Sequence, residues 1–180
     1  VRAVSIALTI SSSGISPDHP AWAEARKQML ELLREGVAIN PHYRKITPMA
    51  ADELARWGDW KNAIWVWESV VASRPHVAAI HANIARGYLH LNQMDKARLA
   101  YERAHELQPM APAVCSLEMV YRARTGDETG AMQLARSLFA DKLLDLDVIR
   151  SAYELGLKRQ DWDLSLQAIT LLRENWPDYA

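Results

Sequence analysis

The 180-residue sequence predicts an all-α fold, a right-handed α-solenoid of antiparallel helical hairpins with about four repeats behind a leading helix. Three observations carry this expectation. Pro41, Pro75 and Pro109 follow one another at a step of 34, Pro177 lies two such steps beyond Pro109, and Leu143 occupies the step between them. Ala63, Ala97 and Ala131 repeat at the same step, and the position four residues later reads Trp67, Tyr101, Ala135 and Ile169. Tight-turn residues share it too, as Gly58-Asp59, Asn92-Gln93, Gly126-Asp127 and Gln160-Asp161. A fixed interval of this size marks stacked supersecondary units, none of which buries its apolar face alone.

The totals agree with a folded chain. Apolar residues make up 49% and charged residues 24%, which supplies a sizeable core at this length. With 21 basic and 22 acidic side chains, the net charge of −1 leaves no basic excess to neutralise phosphates, so no nucleic-acid partner is expected. Seven Trp against one Phe is an unusual balance, and the Trp at 57, 60, 65 and 67 point to local packing of large rings. Cys115 is the single cysteine and forms no internal disulfide, so it does not report the redox compartment.

Residues 1–19 read as an N-terminal segment and linker. Val1–Ile10 is mostly apolar, but a membrane-spanning helix needs about 20 residues. The stretch also lacks the charged start and small-residue cleavage site of a signal peptide. Two readings stand: the trailing end of a longer apolar segment, or a short strand or helix docking on the domain. Ser11–Pro20 is rich in Ser, Gly and Pro, without periodicity. A leading helix is expected over 20–41. Pro20 suits its first turn, Trp22, Ala25, Met29, Leu32 and Leu33 share one face, and Asn40-Pro41 ends it.

The remainder, 44–179, divides into 44–77, 78–111, 112–145 and 146–179. Each unit reads as two helices joined by a tight turn. Ala63 and Ala97 let the two helices approach, the aromatic four residues on fills the gap toward the next hairpin, and proline breaks the chain between units. Asp59, Asp95, Asp127 and Asp161 are candidate caps for the second helices, where a carboxylate accepts orphan N–H groups.

On these residues the segment Ala78–Ala111 resembles a tetratricopeptide repeat, with Ile84, Ala85 and Tyr88 in its first helix, then Ala97, Tyr101, Ala104 and Pro109. The unit 44–77 matches through Leu54, Gly58, Ala63, Trp67 and Pro75. In 112–145, Gly126 and Ala131 fit, but Glu118, Arg122 and Ala135 do not look like core choices. The unit 146–179 keeps Ile149, Ala152, Ile169, Leu172 and Pro177. The resemblance covers about three quarters of the chain and implies a protein-binding or scaffolding module rather than an enzyme.

Asn40–Met49, running on into Trp57-Gly-Asp-Trp60 and Trp65-Val-Trp67, is similar to the soluble tail of bacterial membrane polymerases and ligases of the O-antigen type. That likeness implies a setting on the periplasmic side of the bacterial inner membrane, in surface polysaccharide assembly, with membrane attachment only through a preceding segment. The family's catalysis belongs to its membrane portion and a large periplasmic loop. The alternative is a free-standing cytoplasmic adaptor that binds a peptide.

No residue set supports chemistry. The six His, at 19, 42, 76, 81, 90 and 105, lack the paired helical spacing of a zinc site, and no cysteine pair exists. Asp141, Asp145 and Asp147 lack the Gly and closing Glu of a calcium loop. Gly126 and Gly130 are not followed by the Lys of a phosphate loop. Cys115 fits a small apolar packing position, as an inert thiol, and His81 takes a core-facing phase. No catalytic residue, metal or cofactor is therefore expected. Trp67 is a core residue. Trp60 and Trp65 have two readings, packing against the leading helix or an exposed anchor for a sugar ring or partner.

In tetratricopeptide arrays the first helices line a concave groove. The resemblance places Lys45, Met49, Asp52 and Arg56 there, then Asn83, Arg86 and His90, then Ser116, Val120 and Arg124. This set is net basic and suits a peptide carboxylate, an acidic segment or a charged glycan; the other reading is a solvated helix face. The family's five-residue clamp for chaperone tails has a counterpart only in Asn83, with Pro48, Asp52, Ala113 and Leu117 at the other positions, so chaperone-tail binding is rejected.

Overall fold

A computed structural model of the chain describes residues 20–39 and 46–177. The readings of Val1–Ile10, of the linker to residue 19, of Asn40-Pro41 and of Lys45 lie outside the described residues. Nine helices occur among the described residues: α1 (Pro20–Ile39), α2 (Ile46–Arg56), α3 (Trp60–Ser73), α4 (Ala78–His90), α5 (Met94–Leu107), α6 (Pro112–Thr125), α7 (Glu128–Ala140), α8 (Leu146–Arg159) and α9 (Trp162–Asn175). None is long and apolar enough to cross a membrane. The pairs α2–α3, α4–α5, α6–α7 and α8–α9 pack as consecutive hairpins, and α4, α6 and α8 lie side by side.

The turns explain the interval. Gly58, Asn92, Gly126 and Gln160, which recur at the common step, all take positive φ, at 75°, 59°, 94° and 57°. That left-handed residue reverses the chain inside every hairpin. Glycine adopts it freely, while each non-glycine residue there costs about 1–2 kcal/mol. Three aspartates then cap the second helices: Asp59 accepts from the Asn62 N–H at 3.4 Å, Asp127 from Gly130 at 2.9 Å and Asp161 from Leu164 at 3.0 Å. Asp95 does not cap. Gln93 heads α5 without a side-chain bond, and Asp95 sits inside the first turn, where its charge still suits the helix dipole. One step on from Asp59 the chain has Gln93, so α5 lacks the capping carboxylate that the others have.

α1 is tied to the first hairpin by an aromatic contact and an ion pair. Trp22 meets Trp57 edge-on, with centroids 4.4 Å apart, and Met29 and Leu33 join Ala50, Ala51, Leu54 and Ala63 in one buried cluster. Arg26 donates from Nε to Asp59 Oδ2 at 3.2 Å. Burial pushes the Asp59 carboxyl up, but hydrogen bonds from Asn62 and Arg26 and the Arg26 charge outweigh it and hold the group below the usual range.

The repeated small residues are where the hairpins close: Ala63, Ala97 and Ala131 are each 0% exposed. Trp67 is buried and packs toward α4 beside Gly87, where an added Cβ would lie 2.6 Å from Ile64 Cγ1. Tyr101 stacks on Tyr121 across α5 and α6, with centroids 4.8 Å apart. Two residues that did not look like core choices are buried. Ala135 lies in one cluster with Ile149 and Ala152, where a small side chain lets α8 bring its own apolar residues close. Glu118 is buried because Arg122, one turn on, neutralises it at 2.6 Å. Ile169 departs from its repeat position in the opposite sense. With Trp162 and Leu166 it is exposed, since no described helix covers the outer face of α9. Cys115 is buried, and burial, followed by the Glu118 charge, pushes its thiol up, as befits an inert packing residue.

Candidate functional site: a groove across the first helices

One cavity of about 620 Å³ runs across the first helices. α2 supplies Asp52, Ala55 and Arg56, and α4 supplies Asn83, Arg86, Leu89 and His90. α6 adds Met119, Val120, Ala123 and Arg124, and α8 adds Asp147, Arg150, Ser151, Glu154, Leu155 and Lys158. Trp60 and Trp67 reach it from α3. The apolar floor comes from Leu89, Met119 and Leu155, whose helices pack edge to edge with their small and aliphatic residues turned inward.

The cavity brings together Asp52, Arg56, Asn83, Arg86, His90, Val120 and Arg124 of the residues that the sequence placed in a groove. Met49 is 49% exposed and lies outside the lining. Ser116 is 0% exposed, because it sits where α6 meets its neighbours and not on the open face. It serves the groove from beneath: Arg86 Nη2 donates to Ser116 Oγ at 2.8 Å, and Ser116 Oγ lies 2.7 Å from Ser151 Oγ. One polar chain thus links α4, α6 and α8.

The α8 contribution was not named from the sequence, although a signal existed. Asp147, Arg150, Ser151, Glu154 and Lys158 each lie one repeat step beyond Ala113, Ser116, Leu117, Val120 and Arg124 of α6. Their carboxylates make the groove more mixed in charge than the first three helices alone imply. Arg150 Nε and Glu154 Oε1 are 3.7 Å apart.

Two further features set the electrostatics. Trp60 stacks flat on His90, with centroids 3.9 Å apart and planes 4° apart. Burial, then the Arg124 and Arg86 charges, hold the His90 imidazole below its ordinary value, so the stacked ring is neutral at neutral pH. Trp65 is half-buried and packs against the cluster that contains α1 residues, so the packing reading describes it. Trp67 Nε1 donates to Asp52 Oδ1 at 3.3 Å, while burial raises the Asp52 carboxyl above the usual range against that bond. No group of His, Cys, Asp and Glu among the described residues is arranged to hold a metal ion.

No protein-family model matches the chain. Tetratricopeptide repeat protein 17 of Homo sapiens is 29% identical over 85 residues, which are 46% of this chain and 7% of that protein. The Danio rerio protein of the same name is 28% identical over 85 residues. The chain therefore spans a small fraction of these curated relatives. Among solved structures, a thermophilic TPR protein of Thermus thermophilus superposes with a TM-score of 0.67 at 15% identity, covering 98% of this chain and 91% of that one. YrrB, described as a TPR protein with an unusual peptide-binding site, gives a TM-score of 0.52 at 13% identity and covers 99% of this chain and 87% of its own. At such identities the likeness is one of fold. The chain has the all-α fold of consecutive helical hairpins seen in tetratricopeptide-repeat structures.

Proposed function

We propose that the chain is a binding and scaffolding module that holds a segment of a partner protein in the groove lined by α2, α4, α6 and α8. The observation that carries this reading is the convergence of four helices from four hairpins on one open cavity with an apolar floor and a polar, mainly cationic rim. Such a surface grips a chain along its length and supplies positioning rather than bond making. The same reading assigns no catalytic role to any residue of the chain.

The setting we propose is the periplasmic side of the bacterial inner membrane, as a domain of a larger protein that assembles surface polysaccharide. Its support is the sequence likeness of 40–67 to the tails of O-antigen polymerases and ligases. One experiment addresses both parts. A photo-crosslinking amino acid is placed at Val120, in the groove, or at Leu99, exposed on α5. Irradiation is carried out in intact cells, followed by separation of periplasmic and cytosolic fractions. The expected result is one protein adduct, formed at position 120, absent at 99 and found in the periplasmic fraction. Adducts that form equally at both positions contradict the groove. A groove adduct in the cytosolic fraction replaces the periplasmic setting with the cytoplasmic adaptor.

A further inference from the structure

Arg56, His90, Arg124 and Lys158 occupy the same position of four successive units, each in the last turn of its first helix. Arg56, Arg124 and Lys158 are cations there and answer the partial negative charge of a helix C-terminus, which explains each singly; Arg56 is paired with Glu53, and His90 is the neutral ring stacked on Trp60. None of this explains why all four line one cavity, nor what stands behind them. Arg86 lies deeper, held by its one bond to Ser116, and its Nε is buried without a partner. None of Arg86, Arg124 and Lys158 forms an ion pair among the described residues. Arg159 also has an unmatched Nε, but Glu128 meets its charge. Arg86 is half-buried, and Asp147, Glu154 and Asp52 act on its charge without touching it; its buried Nε–H is left without an acceptor, a costly state that a carboxylate oxygen relieves.

We propose that the groove takes an extended acidic segment of the partner protein, with one carboxylate on Arg86 and others on Arg124 and Lys158. This rests on the groove reading above and adds the chemistry of what the groove recognises. Packed helices stand roughly 8–10 Å apart, and an extended chain advances about 3.3 Å per residue. Carboxylates about three residues apart therefore meet successive hairpins. A denser polyanion fits poorly: duplex DNA carries a charge about every 1.7 Å, and Asp52, Asp147 and Glu154 in the same lining repel it. Spaced carboxylates on a peptide avoid these side chains, and the intervening residues lie on the apolar floor.

The test is calorimetric titration at about 0.15 M salt with acetyl-(Glu-Gly-Ala)4-amide, its Gln counterpart and the oligonucleotide dT12. The Glu peptide is expected to bind, and the Gln peptide to bind at least about tenfold more weakly. Arg86→Gln weakens the Glu peptide by about tenfold to a hundredfold. Arg124→Gln and Lys158→Gln, at exposed side chains, each weaken it about threefold, and Arg98→Gln on α5 changes nothing. Should Arg86→Gln fail to fold, the Nε–H resonance of Arg86 in the unaltered protein replaces it, shifting with the Glu peptide and not with the Gln peptide. Equal binding of the two peptides, no binding of the Glu peptide, or tighter binding of dT12 overturns the inference. If the adduct at position 120 persists in that case, the groove stands and only its acidic ligand falls.

Discussion

Replacing Trp67 by alanine lowers stability by about 3–5 kcal/mol and the melting temperature by roughly 6–20 °C. Trp67 is 3% exposed and occupies the boundary between the first and second hairpins. Its ring lies against α4 where Gly87 has no side chain, so the vacated volume cannot be refilled by a neighbour turning in. The damage reaches the groove too. Asp52 loses the indole N–H that its half-buried carboxylate accepts, and a buried polar group left unmatched adds its own cost. Trp67→Phe separates the two effects, since it keeps most of the ring and removes only the donor. The control is Trp162→Ala. Trp162 is 63% exposed on α9, and its removal changes stability by no more than about 0.5 kcal/mol. Thermal unfolding followed by circular dichroism measures all three. Equal melting temperatures for Trp67→Ala and the unaltered chain would mean that the repeat phase is wrong.

The second large effect comes from adding volume. α8 crosses α9 at Gly156, where an added Cβ would run into Ser165 Oγ and stand 3.0 Å from the Ser165 backbone nitrogen and 3.1 Å from the Asp161 carbonyl oxygen. Alanine gains about 1 kcal/mol of helix propensity over glycine, but two of those three atoms belong to the backbone and yield only if α9 moves. Gly156→Leu therefore costs about 3 kcal/mol, at the upper end of overpacking effects, and Ser165→Gly does not rescue it. Gly36 is the comparison: nothing lies within 4 Å of its added Cβ, so Gly36→Ala stabilises α1 by up to about 1 kcal/mol. Urea unfolding of the two variants shows opposite shifts of the midpoint. A Gly156→Leu chain as stable as the original would mean that α8 and α9 do not cross there.

The fold was legible because its local and global signals share one interval. The turn needs a left-handed residue, the close crossing needs alanine, and both recur at the same step, so Gly58, Ala63 and their successors identify the hairpins without any long-range information. What failed to read were positions where a neighbour decides the outcome. Ala135 looked wrong for a site that Trp67 and Tyr101 fill with rings, yet α8 supplies the bulk there. Glu118 looked wrong for a core until Arg122 neutralised it. Ile169 looked like a core residue by register and is exposed because nothing described covers α9.

The groove was legible for the same reason and to the same depth. Seven of the residues that the tetratricopeptide resemblance, mapped by the repeat step, places there line it. Ser116 lies beneath the open face because a helix face is wider than one residue, and neighbouring helices press on its edge. The α8 residues lie in the unit with the fewest repeat-like core residues, although the repeat step reaches them directly. That Arg86 Nε has no partner was not accessible at all, since an unmatched donor is a property of the assembled surroundings and not of a residue type.

The central claim is that the first helices of successive hairpins form one recognition surface. Amide hydrogen exchange of the chain, alone and bound to the protein captured at position 120, tests it most directly. Binding is expected to slow exchange in α4, α6 and α8 and to leave α5, α7 and α9 unchanged. Protection confined to α5, α7 and α9, with α4, α6 and α8 exchanging as in the free chain, would contradict it.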